Sequence, residues 1–390
     1  MASPGAGAAH RPGVAARIEA ATPEGRDRGV DALRALAILG VVAGHWLVTA
    51  WERGPGGTVH ITSPLVYLGA LSPLSWVFQT LAVFFLVGGY AAARSLRSAG
   101  EGRGGGAAWA RARLGRLLRP VGAPALVWTG IAVGMALHGM PGGTIRALLL
   151  PAVAPLWFLA VFAALNAATP LLLARPGTVA ACAVVVVLCV DLLRFSQTGP
   201  EWLGWVNVAA GWLVPYTLGV RWANGALASR RTAAGLLAAG AAGAVLLVAR
   251  FGYPVSMVGV TGAKVSNLSP PTLAAVCFGV AQVGAALLAR GPLARLMRRP
   301  RLWAMVATAN LGAMTIFLWH QTALLVTVMA ALRFGDVPGL LGAPADPVWP
   351  LYRLAWFPVL ALILCAAIAA ATAVARLTRG HFNDMVSSSA

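Results

Sequence analysis

Apolar runs of about twenty residues recur along almost the whole chain, and each is long enough to cross the hydrocarbon core of a bilayer as a helix. Ten such runs can be placed, at about 32–51, 72–93, 118–138, 155–174, 177–193, 203–221, 232–250, 270–289, 304–332 and 353–376. The spacing predicts an all-α integral membrane protein, with about ten transmembrane helices in one bundle. Its 390 residues are 59% hydrophobic and 11% charged. Soluble domains carry about 25% charged residues, so no stretch is left to build a separate soluble domain. The ninth run is long enough to imply a tilted helix, or one that extends past the bilayer.

Charge orients these runs. The net charge of +19 would suit a nucleic-acid partner, but the basic residues sit in short segments between apolar runs, with no interleaved aromatic patch. The positive-inside rule accounts for them: with the N-terminus inside, about 22 Lys/Arg fall on inner segments and about 7 on outer loops. Both termini are therefore expected to be cytoplasmic. The densest basic stretch, Arg94 to Arg119, reads as an inner loop containing a flexible Gly102–Ala108 linker.

Residues 1–29 are rich in Ala, Gly and Arg and are expected to be a disordered cytoplasmic tail. Residues 30–378 form the membrane domain, and 379–390 a second short tail. No signal-peptide core precedes the first helix, which is expected to act as an uncleaved anchor. Cys182, Cys189, Cys277 and Cys365 all lie in apolar runs. They indicate packing rather than a disulfide framework, and no metal site is expected.

The first helix contains "DALRALAILGVVAGHW", Asp31 to Trp46. Arg34 and His45 are eleven residues apart, about 20° past three full turns, so they share a face at an axial separation of about 16 Å. Arg34 can snorkel to the inner surface, whereas His45 lies near mid-membrane. An ionisable residue at that depth should face a protein interior or a wet cavity and is a candidate for function. Imidazole, with an unperturbed pKa of about 6.5, is suited to general-base work. The alternative is a neutral histidine bonded to a neighbouring helix.

Several motifs together resemble the acyltransferase 3 family, bacterial multi-span membrane enzymes that O-acylate sugars, envelope polymers, lipids and metabolites. They are R-x10-H at Arg34 and His45, R-x-x-R at Arg116 and Arg119, "FFLVGGY" at Phe84–Tyr90, "PLWFL" at Pro155–Leu159 and "FLWHQ" at Phe317–Gln321. The resemblance covers about residues 28–376. One departure is Gly88, where the family usually has a small hydroxyl residue. The extra outer domain of some relatives is not expected.

The resemblance implies transfer of an acyl group, with acetyl the first expectation, from acyl-CoA to a hydroxyl of a sugar, envelope glycan, lipid or metabolite. His45 would be the essential base. Arg34, Arg116 and Arg119 would hold the donor's phosphates from the cytoplasmic side of a bacterial cytoplasmic membrane, where guanidinium forks bind phosphate bidentately. Weaker candidates for lining the substrate path are Asp31, which can pair with Arg34, Tyr90, Trp157, Asn267 (with Ser269) in the long outer loop, and His320. Two other classes stay open: a transporter of an acyl group or envelope precursor, and a passive scaffold.

Overall fold

The computed structural model describes residues 13–100 and 105–388, with side chains through residue 373. Among these residues ten helical segments are long and apolar enough to cross a membrane. The first part of the chain holds α1 (Val14–Ala20), α2 (Arg28–Val48), β1 (Ala50–Arg53), β2 (Val59–Thr62), α3 (Pro64–Tyr67), α4 (Ser75–Phe78) and α5 (Leu81–Gly100). Then come α6 (Gly105–Leu118), α7 (Gly122–Leu137), α8 (Gly142–Val153), α9 (Leu156–Leu172) and α10 (Pro176–Phe195). The rest comprises α11 (Val206–Ala223), α12 (Arg230–Arg250), α13 (Leu273–Leu296), α14 (Pro300–Leu311), α15 (Ala313–Ala331) and α16 (Trp349–Ser388).

The largest buried apolar cluster is built on α2, α5, α9, α11 and α15. Other helices turn large apolar side chains outward, among them Leu126 and Leu137 of α7, Leu246 of α12 and Leu362 of α16. In water such a surface would be costly. In a bilayer it meets lipid, while the helices satisfy their own backbone hydrogen bonds.

Small residues set the closest crossings. A Cβ on Gly89 of α5 would strike the backbone of Tyr216, and one on Gly219 of α11 would strike that of Leu86. The two glycines bring α5 and α11 into backbone contact from both sides. Gly240 and Gly284 do the same for α12 and α13, against Cys277–Ala281 and Ala233–Leu237. Close approach of this kind drives packing in lipid, where burial alone gives no preference for protein over hydrocarbon.

Several expectations need correction. The chain is not purely helical: β1 and β2 pair antiparallel, Ala50 opposite Thr62. The third apolar span lies where expected, in α7 (Gly122–Leu137), but it is not preceded by a loop. The polar helix α6 runs into it through a 3-10 turn at Arg119–Val121 around Pro120, so that Gly105–Leu137 is one helical segment. The basic stretch read as a loop is therefore mostly helix, as the high helix propensity of Arg and Ala allows. Of its supposed linker, residues 101–104 lie outside the described residues, and Gly105 onward is helical.

The long ninth run is not one tilted helix. It divides at Gly312, because α14 buries Trp303 and Ala307 against Ala32 of α2, Met297 and Ile18 of α1. That packing also structures part of the segment expected to be disordered. Residues 1–12 lie outside the described residues, but α1 forms, Trp303 Nε1 donates to Thr22 Oγ1 at 2.8 Å, and Arg28 pairs with Glu19 at 2.6 Å. At the other end α16 stays helical through Ser388, past the expected boundary at 378.

Candidate active site

α2 positions the principal candidates. Asp27 caps it, accepting from Val30 N at 3.1 Å. Arg353 closes its other end: fully buried in α16, it donates to the Thr49 carbonyl at 2.9 Å, with its guanidinium 4.8 Å over the Trp349 ring. A cation is favourable at a helix C-terminus, where carbonyls lack partners. Arg353 was not singled out from sequence, because its partner is 304 residues away.

His45 faces protein, not lipid. Its ring lies 5.1 Å from that of His320 in an edge-on arrangement, and its Nδ1 is 3.1 Å from Gln321 Nε2. Both partners belong to α15, which Trp46 ties to α2 by donating to the His320 carbonyl at 2.9 Å. His320 is itself buried, with Nδ1 donating to Phe317 O at 2.6 Å. That bond leaves Nε2 of His320 with a lone pair, and this atom has no protein partner. Gln321 Oε1 is likewise buried without one.

Half-buried His45 opens on a cavity of about 170 Å³. Its walls are Val41, Gly44 and Val48 of α2, residues 78–81 at the break between α4 and α5, and Val258, Gly259 and Leu268 of the 251–272 loop. The break is held open by side chains: Thr80 Oγ1 donates to Ala37 O at 2.8 Å, and Gln282 bonds the Gln79 carbonyl. The loop is tied down on the opposite side by Asp191, fully buried at the end of α10. Its carboxylate accepts from Asn207 Nδ2 at 3.0 Å, Tyr253 OH at 3.1 Å and Leu273 N at 2.7 Å. Burial, and then the neighbouring Asp191 carboxylate, push the Tyr253 phenol above its usual range.

Asn267 belongs to this scaffold. Its two amide hydrogens go to Pro254 O at 2.6 Å and Ser256 O at 3.0 Å, and its Oδ1 accepts from Thr272 at 2.6 Å. An acceptor-binding role for Asn267 therefore gives way to a loop-folding one, while Ser269 is exposed. Trp157 packs on Trp212 at 6.1 Å within an aromatic block and does not line the His45 cavity. Tyr90 is buried against Trp222, with ring centroids 4.3 Å apart, and lines a different cavity.

At the other end of α2, Arg34 Nη1 donates to Asp31 Oδ1 at 3.1 Å, and Asp31 also accepts from Arg26 at 2.6 Å. The arginines of α6 divide differently from the sequence expectation. Arg116 and Arg119 are exposed. Arg113, read from sequence only as a topology signal, turns inward, bonds the buried Asn166 of α9 and lies within electrostatic reach of Arg34. A usable signal was present: Arg113 is one turn from Trp109 on α6, and its guanidinium lies 5.5 Å over that ring.

α2 thus carries an imidazole open to one cavity and, about 16 Å along its axis, an arginine beside a second inward cation. Such an arrangement can accept a proton at one end and hold an anionic group at the other. The family model described as an acyltransferase domain matches residues 27–376. No curated protein and no solved structure shows significant similarity to the chain.

Proposed function

The chain belongs to this acyltransferase family, and on that premise we propose that it moves an acyl group from acyl-CoA to a hydroxyl on a glycan, lipid or metabolite, with His45 as general base. The observation that carries the reading is the setting of His45: an imidazole inside the protein, oriented by Gln321 and open to a cavity through residues of the 251–272 loop.

In this reaction the acceptor hydroxyl enters the cavity and gives its proton to His45 as its oxygen attacks the thioester carbon. The C–O bond forms, the C–S bond breaks, and the departing thiolate takes the proton back from the imidazolium. An ester and free CoA result. Base catalysis of this kind contributes about 10²–10⁴-fold; alignment and charge stabilisation supply the rest.

The Gln321 amide fits both stages. With its nitrogen toward Nδ1, the ring carries its proton on Nε2. Turned by 180°, its oxygen accepts from Nδ1–H and leaves Nε2 free to act as the base. The same oxygen then accepts from the imidazolium.

The end of the protein bearing Arg34, Arg113 and Arg116 is taken as cytoplasmic, in accord with the positive-inside rule. The donor approaches from there, and the acceptor from the side of the 251–272 loop. Acetyl is the first acyl group to test, and a bacterial cytoplasmic membrane the first location.

The deciding experiment incubates purified protein in nanodiscs with labelled acetyl-CoA and a panel of glycans, lipids and polyols. Labelled ester should form with wild type and not with His45→Ala, while the variant still binds CoA. Undiminished turnover by a folded His45→Ala protein would overturn the assignment. A transporter would instead move label across the membrane without forming ester.

A further inference from the structure

At the same end as Arg34, helices α5, α11 and α13 part around a cavity of about 550 Å³ that shares no lining residue with the His45 cavity. Three guanidinium groups line it: Arg94 and Arg97 from the last turns of α5, and Arg290 from α13. Each is held in place with donors to spare. Arg94 Nη1 donates to Tyr90 OH at 3.0 Å. Arg97 donates to Ala223 O at 3.1 Å and to Asn224 Oδ1. Arg290 spends two N–H groups on Asp27, at 2.9 and 2.6 Å. A guanidinium has five N–H groups, so every one of the three retains some. The rings of Tyr90 and Trp222, tilted 38° to each other, brace the cluster, with Arg94 5.7 Å over the first and Arg290 5.9 Å over the second.

Among the described residues Asp27 is the one carboxylate paired with these three cations. Three like charges around one cavity repel each other, and Arg94, unlike Arg97 on the Ala223 carbonyl at the end of α11, closes no helix. The arrangement is understandable if an anion fills the space. Two positive charges in excess match a phosphate monoester or a diphosphate better than a phospholipid diester, which carries one negative charge. The position also fits the reaction. α5 is continuous from Leu81, in the wall of the His45 cavity, to Arg94, in the wall of this one. Those thirteen residues span about 20 Å, a reach suited to an extended phosphopantetheine arm.

We propose that this cavity seats the phosphorylated nucleotide end of the acyl-CoA donor, held by Arg94, Arg97 and Arg290. The inference rests on the acyl-CoA reading above and goes beyond it in placing the nucleotide apart from Arg116 and Arg119.

The test measures equilibrium binding of CoA, and of adenosine 3′,5′-bisphosphate, to the full chain in phosphatidylcholine nanodiscs. Arg94→Gln and Arg97→Gln should each weaken both ligands by about tenfold or more, as expected for loss of a charge-assisted bond. Ala228→Glu adds a carboxylate at an exposed lining position and removes no existing bond. It should weaken both ligands to a similar degree in a protein of unchanged melting temperature. Unchanged CoA affinity in folded Ala228→Glu would overturn the site while leaving the acyl-CoA reading intact. Failure of wild type to bind CoA at all would overturn both. If the variants lose only stabilisation by phosphatidylglycerol nanodiscs, the cavity is a lipid-headgroup site and the nucleotide assignment is wrong.

Discussion

Gln321 meets the imidazole of His45 at 3.1 Å, joining α15 to α2 across 276 residues of chain. One amide therefore governs which ring nitrogen holds the proton in the candidate site. Gln321→Leu removes that control without touching either substrate. It should lower kcat by about tenfold, equivalent to about 1.4 kcal/mol of transition-state stabilisation, with little change in CoA affinity. Gln321→Glu, which keeps an acceptor for Nδ1–H, should recover part of the rate and shift the pH–rate profile. Equal kcat for wild type and Gln321→Leu would show that the contact only packs.

The inward turn of Arg113 separates it from its neighbours on α6. Arg113→Gln should weaken CoA binding by roughly tenfold or more, the worth of a charged hydrogen bond. Arg119→Gln, at an exposed position, should change it much less. Isothermal titration on the two variants decides between them, and a larger loss at Arg119 would favour the reading made from sequence.

The Asp191 anchor predicts a stability effect confined to the 251–272 loop and its supports. Asp191→Leu strips partners from Asn207, Tyr253 and the Leu273 amide, and each buried group left unsatisfied costs about 1–3 kcal/mol. The melting temperature should fall, and protease should cut within 251–272 faster than in wild type.

Tyr253 adds a pH dependence. Its phenol titrates higher in the folded protein than in the unfolded chain. Above about pH 10 the unfolded chain sheds this proton while the fold retains it. Stability is thus unaffected by this group at neutral pH and declines as pH rises through the unfolded value toward the folded one. Tyr253→Phe should shallow that alkaline decline in a pH series of thermal melts. An equally steep decline in the variant would assign it to other groups.

The α5–α11 crossing predicts opposite outcomes for two glycine substitutions. Gly89→Ala drives a Cβ into the Tyr216 backbone and should destabilise by about 1–3 kcal/mol, the usual cost of overpacking. Gly130→Ala, in α7 with nothing within 4 Å, should be neutral or stabilise by about 0.5–1 kcal/mol. Thermal unfolding in a single detergent compares the two directly.

Much of this protein was readable locally. Span length follows from bilayer thickness, so the ten apolar runs correspond to the ten membrane-length helices, although the breaks at Thr80 and Gly312 were not placed. Those breaks depend on what packs beside them. Trp303 and Ala307 pull α14 onto α1 and α2, an interaction between segments almost 300 residues apart that no local pattern encodes. Asn267 of the 251–272 loop misled for a related reason. Its polarity was visible, but its consumption by Pro254, Ser256 and Thr272 exists only once the loop has folded.

The amino-acid order alone determined that Arg34 and His45 lie on one face of one helix, because 3.6 residues per turn is a property of the backbone and holds in any surroundings. Tertiary structure decided what each of them meets. His320 and Gln321 beside the imidazole, Arg113 rather than Arg116 turned inward, and three arginines gathered around one cavity all depend on which helix faces cross. Those crossings are set by small residues and side-chain volumes drawn from distant parts of the chain, and they come into being only when the helices pack.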